Sequence, residues 1–375
     1  MTAVPHSPPP ADVVHAIARE SLAAVTGAQA DACDARLATF LQALLAAGDG
    51  TGLAHVLDSA PSPELHRHLW RILARLERDG RAGPPGSPVR LFAMPVVVVA
   101  ALAGPDAAAC ELPGVLADPR ELAQLLTQHG ALAGNTTIAL APALVDANAL
   151  ALARLPWLLA AACNEPVAGA FDLVPVPLAV AGTTESVHLR FIVGTALAAP
   201  TADLFRERDA GKWAMPFAQR LSAQLAVADT SVLALARPPQ PLVEALWTGR
   251  MAQREVAAQL FVSNALRDLR ARVGEPVAVI SVHRGPEGAA TGEAPVEVRL
   301  SLSSPFEPRD AQGLRCPLWP LDRPEDVAAM LATLLADCRV RDVRREPGVH
   351  ADRDPLSGGP LLFKGGQDSV AEVRH

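Results

Sequence analysis

Apolar residues recur at helical spacing through the first 80 positions. Val14, Ile17, Ala18 and Leu22 fall on one helix face, followed by Leu37, Leu41, Leu44 and Leu45, and then by Leu65, Leu69, Ile72, Leu73 and Leu76. Gly27, Gly50 and Gly80 read as stops, so residues 11–80 predict a helical N-terminal region of three helices. Residues 1–10 are proline-rich and are expected to be a disordered tail. The stretch GRAGPPGSP at 80–88 closes the region as a linker.

Beyond the linker the period changes. Residues 89–102 are continuous and β-branched, the pattern of a buried strand. Residues 118–129 predict a helix with Asp118 as N-cap, Pro119 in the first turn and Glu121 completing a capping box. A short strand at 138–140 and a helix at 144–162, kinked at Pro156, come next. Strands at 173–181 and 187–193 are joined by GTTES as a hairpin loop. A second round then runs through a helix at 217–226, a strand at 231–236 and a long helix at 242–273, which Gly249 interrupts and Gly274 stops. Paired strands at 277–282 and 296–302, a helix at 325–337 capped by Asp322, and a strand at 340–343 complete it.

The order helix, strand, helix, strand, strand thus appears twice, and local echoes accompany it. Val187-His188-Leu189-Arg190-Phe191 aligns with Val296-Glu297-Val298-Arg299-Leu300, with an outward arginine at the same phase. Ala93-Met94-Pro95 recurs as Ala214-Met215-Pro216, and Asp118 with Glu121 as Asp322 with Glu325. The expected class is α+β: the helical region followed by two tandem βαββαβ-like, ferredoxin-like pseudo-repeats with largely antiparallel sheets. The first unit spans 89–227, the second 228–350, and residues 351–375 form a C-terminal turn and flexible tail. A doubly wound parallel sheet is the alternative, disfavoured by the two hairpins.

Composition narrows the function classes. Half of the 375 residues are hydrophobic, yet aromatics are 4%, there is no Tyr, and lysine occurs only at Lys212 and Lys364. This alanine, arginine and proline bias reads as the codon usage of a GC-rich, bacterial-type genome, so the abundance of arginine carries little functional weight. A net charge of −7 and a pI near 5.8 oppose phosphate-backbone binding, so no nucleic-acid partner is expected. The N-terminus lacks the cationic and apolar regions of a secretory signal, which predicts a cytoplasmic location. The apolar run at 91–104 contains Pro95 and falls short of the ~20 residues a spanning helix requires, and the run at 138–163 carries Asp146, Arg154 and prolines. No membrane insertion is expected. Cys33, Cys110, Cys163, Cys316 and Cys338 are scattered, forming neither a disulfide framework nor a zinc finger.

No phosphate loop, dinucleotide fingerprint, HExxH, GxSxG or EF-hand loop is found. The densest ligand-type cluster is His350-Ala351-Asp352-Arg353-Asp354. In an extended segment His350, Asp352 and Asp354 point to one side, where a divalent metal is a candidate occupant. The same stretch also reads as a turn, with Asp354 accepting backbone hydrogen bonds ahead of Gly358 and Gly359. His188 with Arg190 on one strand, and His283 with Arg284 on another, are candidates to line an anion pocket, and solvent-facing strand positions explain them equally well; His188, Arg190, His283 and Arg299 are the candidate ligand-binding residues. His66 and His68 cannot chelate together on a helix and read as an exposed face. Arg339, Arg341, Arg344 and Arg345, interleaved with Asp337, Asp342 and Glu346, read as a charged edge strand. Cys316, beside the polar loop 303–310, reads as packing.

Two functions follow as expectations. The first is a non-catalytic binding or assembly protein acting through a protein partner or self-association, with no cofactor. The second is a small-molecule- or metal-binding enzyme with its site in the cleft between the two α/β units.

Overall fold

The structure, a computed structural model, describes residues 11–47, 49–78, 89–102, 113–129, 131, 136–145, 178–179, 185–197, 210–226, 230–272, 275–284, 296–305, 312–319, 322–351, 353 and 361–363. The expected N-terminal tail, the linker at 80–88, most of the 144–162 helix with Pro156, residues 173–177 and the turn at 354–360 lie outside them. The fold is mixed α+β, with the helical region ahead of the strands. The chain divides into two units, residues 1–177 with 188–250, and residues 178–187 with 251–375.

The N-terminal region holds four helices rather than three: α1 (Ala11–Leu22), α2 (Gly27–Ala46), α3 (Gly50–Asp58) and α4 (Pro63–Arg78). Gly27 and Gly50 open helices instead of ending them. The reason is the residue before each: the Thr26 hydroxyl accepts the Gln29 N–H at 3.3 Å, and the Asp49 carboxylate accepts that of Gly52 at 2.8 Å. The leucines that set the helical period, together with Val14, Ile17 and Ile72, are buried, with the exception of Leu22. His66 and His68 are half-buried on α4 rather than exposed. His66 accepts the Trp70 indole N–H at 2.7 Å, and His68 lies 3.0 Å from Asp34.

The first sheet is built from β1 (Val89–Leu102), α5 (Pro119–Gln128), β2 (Thr137–Val145), a two-residue β3 (Leu178–Ala179), β4 (Glu185–Leu197), α6 (Ala210–Leu225) and β5 (Thr230–Ala236). Its order is β2-β4-β1-β5, with β3 also paired to β4. The β3–β4 pairing is antiparallel, as the hairpin reading requires. With β3 set aside, the elements run β-α-β-β-α-β in the ferredoxin-like strand order. The frame differs from expectation, because the unit starts at β1 and closes with β5, which the sequence placed at the head of the second repeat. β5 pairs antiparallel with β1, setting Val232, Ala234 and Ala236 on the same side as Ala100, Val98 and Val96. Leu144 and Val145, expected to open a helix, end β2.

On that side α5 and α6 lie together and Phe92, Met94, Leu122, Leu126, Ile192, Trp213 and Phe217 form the core. Asp118 caps α5 as expected, accepting the Glu121 N–H at 3.0 Å. Glu121 does not return the bond. Its carboxylate pairs with Arg220 of α6 at 2.5 Å, and the Asp118 N–H goes to Gln224 at 3.1 Å instead. The opposite side of the sheet carries Leu189 and Phe191 and meets the start of α7 (Leu242–Arg272). Gly249, expected as an interruption, lies within continuous helix. A Cβ there would stand 3.0 Å from Leu189 and Phe191, so glycine is what permits the close approach.

The second sheet, in order β8-β7-β6-β9, contains β6 (Val277–Arg284), β7 (Val296–Ser303), β8 (Gln312–Pro317) and β9 (Asp342–Ala351), with α8 (Pro324–Asp337) between β8 and β9. It does not repeat the first. β6, β7 and β8 form an antiparallel meander, and β9 lies parallel to β6. No helix separates β6 from β7 among the described residues, and they pair directly as neighbours. β8, unanticipated from the sequence, takes up the other side of β7. The tripeptide echo also fails: Ala93-Met94-Pro95 lies within β1, and Ala214-Met215-Pro216 within α6.

Ala278, Ile280, Val298, Leu300, Leu302 and Leu314 face one way, toward Val327, Leu331 and Leu335 of α8. Cys316 shares that side, and burial pushes its thiol up to about 12. Asp322 does not cap α8. Its buried carboxylate accepts the Trp319 N–H at 2.8 Å and Arg254 Nη2–H at 2.6 Å. The helix ends with Arg339 N–H to Ala336 O and Val340 N–H to Leu335 O, a Schellman motif that puts Arg339 at φ 61°. β9 is an edge strand, as its charge pattern predicts, with Arg344 paired to Asp342 at 2.6 Å. A bulge between Arg345 and Val349 contains Gly348 at φ 86°. Among the described residues no helix is long and apolar enough to cross a membrane.

Candidate functional site

Alternation along the second sheet separates an apolar side, under α8, from a polar one. Register places Val277, Val279, Ser281 and His283 of β6 directly opposite Ser303, Ser301, Arg299 and Glu297 of β7. All eight are buried. Read from the sequence, this alternation marks a solvent face. Residues 361–363 cover part of it instead: Leu361 and Phe363 pack on Val277 and Val279, and Leu362 fills the space a Cβ at Gly313 would need.

His283 is the centre of the cluster. Its Nδ1 lies 2.9 Å from the carbonyl oxygen of Ala351, so that nitrogen carries the proton, and Nε2, 2.7 Å from Ser281 Oγ, accepts the hydroxyl hydrogen. Burial holds its pKa below the usual histidine value, against the opposing pull of the Ala351 carbonyl and with help from the Arg299 charge. His350 is the cross-strand partner of His283 on β9, with ring centroids 5.7 Å apart. The Phe363 ring meets both, edge-on to His350 at 4.7 Å and tilted to His283 at 5.8 Å.

The charges are interlocked. Arg299, fully buried, donates from Nε to Glu297 Oε1 at 2.5 Å and from Nη1 to the Leu361 carbonyl oxygen at 3.1 Å. Arg315 of β8 donates to both Glu297 oxygens, at 2.9 and 3.0 Å. A buried guanidinium is tolerable only with such partners. Two polar atoms on this side, Ser301 Oγ and His350 Nε2, are buried without a hydrogen-bond partner among the described residues. Hydroxyl and imidazole at 2.7 Å have the spacing at which a histidine can activate a serine, but both are sealed from solvent here.

Three of the sequence candidates therefore converge: His283, Arg299 and His350. Asp352 and Asp354, the proposed metal partners of His350, lie outside the described residues. Among the described residues no group of three or more His, Cys, Asp or Glu side chains could hold a metal ion. His188 and Arg190 form a separate pair on β4. Neither faces solvent: His188 is 1% exposed and Arg190 4%, with Arg190 Nη1 donating to the Leu189 carbonyl at 2.9 Å. Burial, then the Arg190 charge, lowers the His188 pKa to about 4. Arg190 and Arg299, expected to point outward in both echoes, point inward in both.

Ser281, Glu297, Ser301 and residues 361–363 were not singled out from the sequence. The available signal was the unbroken alternation of Val296-Glu297-Val298-Arg299-Leu300-Ser301-Leu302-Ser303, joined to a late apolar triplet that needs a surface to cover.

The first sheet offers a different feature. Leu197, Leu233 and Leu235 lie on its side away from α5 and α6 and are 52%, 54% and 38% exposed. Trp247, on the helix that meets this side at Gly249, is 39% exposed. Comparison with family models, curated proteins and solved structures finds no match to this chain.

Proposed function

We propose that this chain is a non-catalytic binding protein that engages a protein partner, or a second copy of itself, through the open part of the first sheet. The observation behind this reading is the exposure of Leu197, Leu233 and Leu235 on one side of that sheet, with Trp247 nearby in sequence to the Gly249 contact. Scattered exposed leucines need no explanation, but Leu233 and Leu235 are neighbours on one face of β5, and contiguous apolar positions mark interaction surfaces. The aromatic Trp247 is of the type that anchors such contacts.

The test is affinity purification under native conditions from cells of the source organism, using the full chain and a Leu233→Asp/Leu235→Asp variant with unchanged circular dichroism. A stoichiometric protein, or a second copy, should accompany the parent and be lost with the variant. Equal recovery by both, or a parent that returns alone with a monomeric native mass, would sink the reading. A second reading, a small-molecule- or metal-binding enzyme, is favoured by the convergence of His283, Arg299 and His350. It predicts extra mass in native mass spectrometry that disappears on denaturation.

A further inference from the structure

We infer that residues 361–363 are a displaceable occupant of a peptide seat on the polar side of the second sheet, and that an extended partner segment with a Leu-Leu-aromatic pattern takes their place. This surface is independent of the apolar one on the first sheet. Each contact of the triplet is of a kind that peptide recognition uses. The Leu361 carbonyl oxygen receives Arg299 Nη1–H at 3.1 Å, a main-chain anchor. Leu362 enters a notch that exists only because position 313 is glycine: a Cβ there would come within 2.4 Å of it. Phe363, 5% exposed, lies against Val277, Val279 and the two imidazoles.

The occupant fits its seat incompletely. Beside Val277 and Val279, the surface under the three apolar side chains is made of serines, histidines and an ion-paired arginine, and Ser301 Oγ and His350 Nε2 are left buried without partners among the described residues. A buried polar group without a partner favours any competitor that supplies one. A trans peptide that keeps the carbonyl, leucine and aromatic contacts and adds a polar group over Ser301 or His350 therefore has an advantage over the resident triplet. Serines and ion pairs also let the seat meet water, so the sheet keeps its apolar core under α8 when the triplet leaves.

The probe is a fluorescein-labelled peptide with the sequence of residues 358–366, GGPLLFKGG, titrated in fluorescence anisotropy against full-length protein. Leu362→Ser/Phe363→Ser, which releases the resident triplet and leaves the seat intact, should bind the probe at least tenfold more tightly than the parent. Adding Gly313→Ala to that variant should abolish the gain. A folded Ser/Ser variant that binds no better than the parent overturns the inference, and so does one that loses its native circular dichroism, since the triplet would then be core. Hydrogen exchange on the unmodified chain gives a second check. The amides of 361–363 should exchange at least 100-fold faster than those of β6 and β7, and exchange at the same rate as those strands overturns it.

Discussion

Replacing Asp322 by alanine should destabilise the second unit by about 4 kcal/mol, within the range for removing one partner of a buried ion pair. The pair is nearly sealed, with side chains 9% and 1% exposed for Arg254 and Asp322. Arg254 Nη2 donates to Asp322 Oδ2 at 2.6 Å and to the Pro317 carbonyl at 2.8 Å. Alanine leaves the guanidinium with the Pro317 carbonyl and the Met251 thioether, which sets the loss toward the low end of the range, and also strips the Trp319 N–H of its acceptor, a further ~1 kcal/mol. Urea unfolding followed by circular dichroism measures the change, with Arg254→Met and the double variant closing a thermodynamic cycle. Because a hydrophobic replacement of both partners is often close to neutral, the double variant should recover roughly 2 kcal/mol relative to the sum of the singles. A single-variant loss under about 1 kcal/mol, or strictly additive losses, would show that the pair is not what ties α7 to the segment ahead of α8.

Two more outcomes are expected. The His188 pKa of about 4 in the fold, against an ordinary value of 6.5, means that the unfolded chain takes up a proton that the folded chain refuses. Stability should therefore fall as pH drops from about 6.5 to about 4, by roughly 3 kcal/mol from this residue, and urea midpoints across that window should flatten in His188→Gln. Arg339→Gly should stabilise by about 1 kcal/mol, since glycine adopts a positive φ without the Cβ cost, and a lower melting temperature would refute the reading of that cap.

What the sequence disclosed depended on whether the deciding interaction was local. Helical period located the buried leucines of the N-terminal region, and Asp118 with Pro119 located the start of α5, because those signals act within a turn or two. Gly27 and Gly50 were misread because a glycine stops or starts a helix according to its neighbours, here Thr26 and Asp49. Strand partners were harder. β5 belongs with β1 only because Val232 and Ala234 complete a core begun far upstream, and nothing near residue 230 encodes that. The candidate site was legible as residue types, His283, Arg299 and His350. Its burial was not, because the polar alternation of β7 is the same whether water or residues 361–363 cover it.

The strand order of the first sheet fixes when it can form during synthesis. β1 emerges first, yet both of its neighbours, β4 and β5, come much later, with Leu102 waiting for Thr230. At about 5–20 residues per second the ribosome takes roughly 6–25 s to supply that partner. Until β4 follows, Val96-Val97-Val98-Val99 is an unpaired, charge-free strand, the kind of segment that aggregates when left bare, and its other edge stays open until β5. Efficient expression should thus depend on a holding chaperone during translation, while the β6–β7–β8 meander, whose partners follow one another directly, has no such wait.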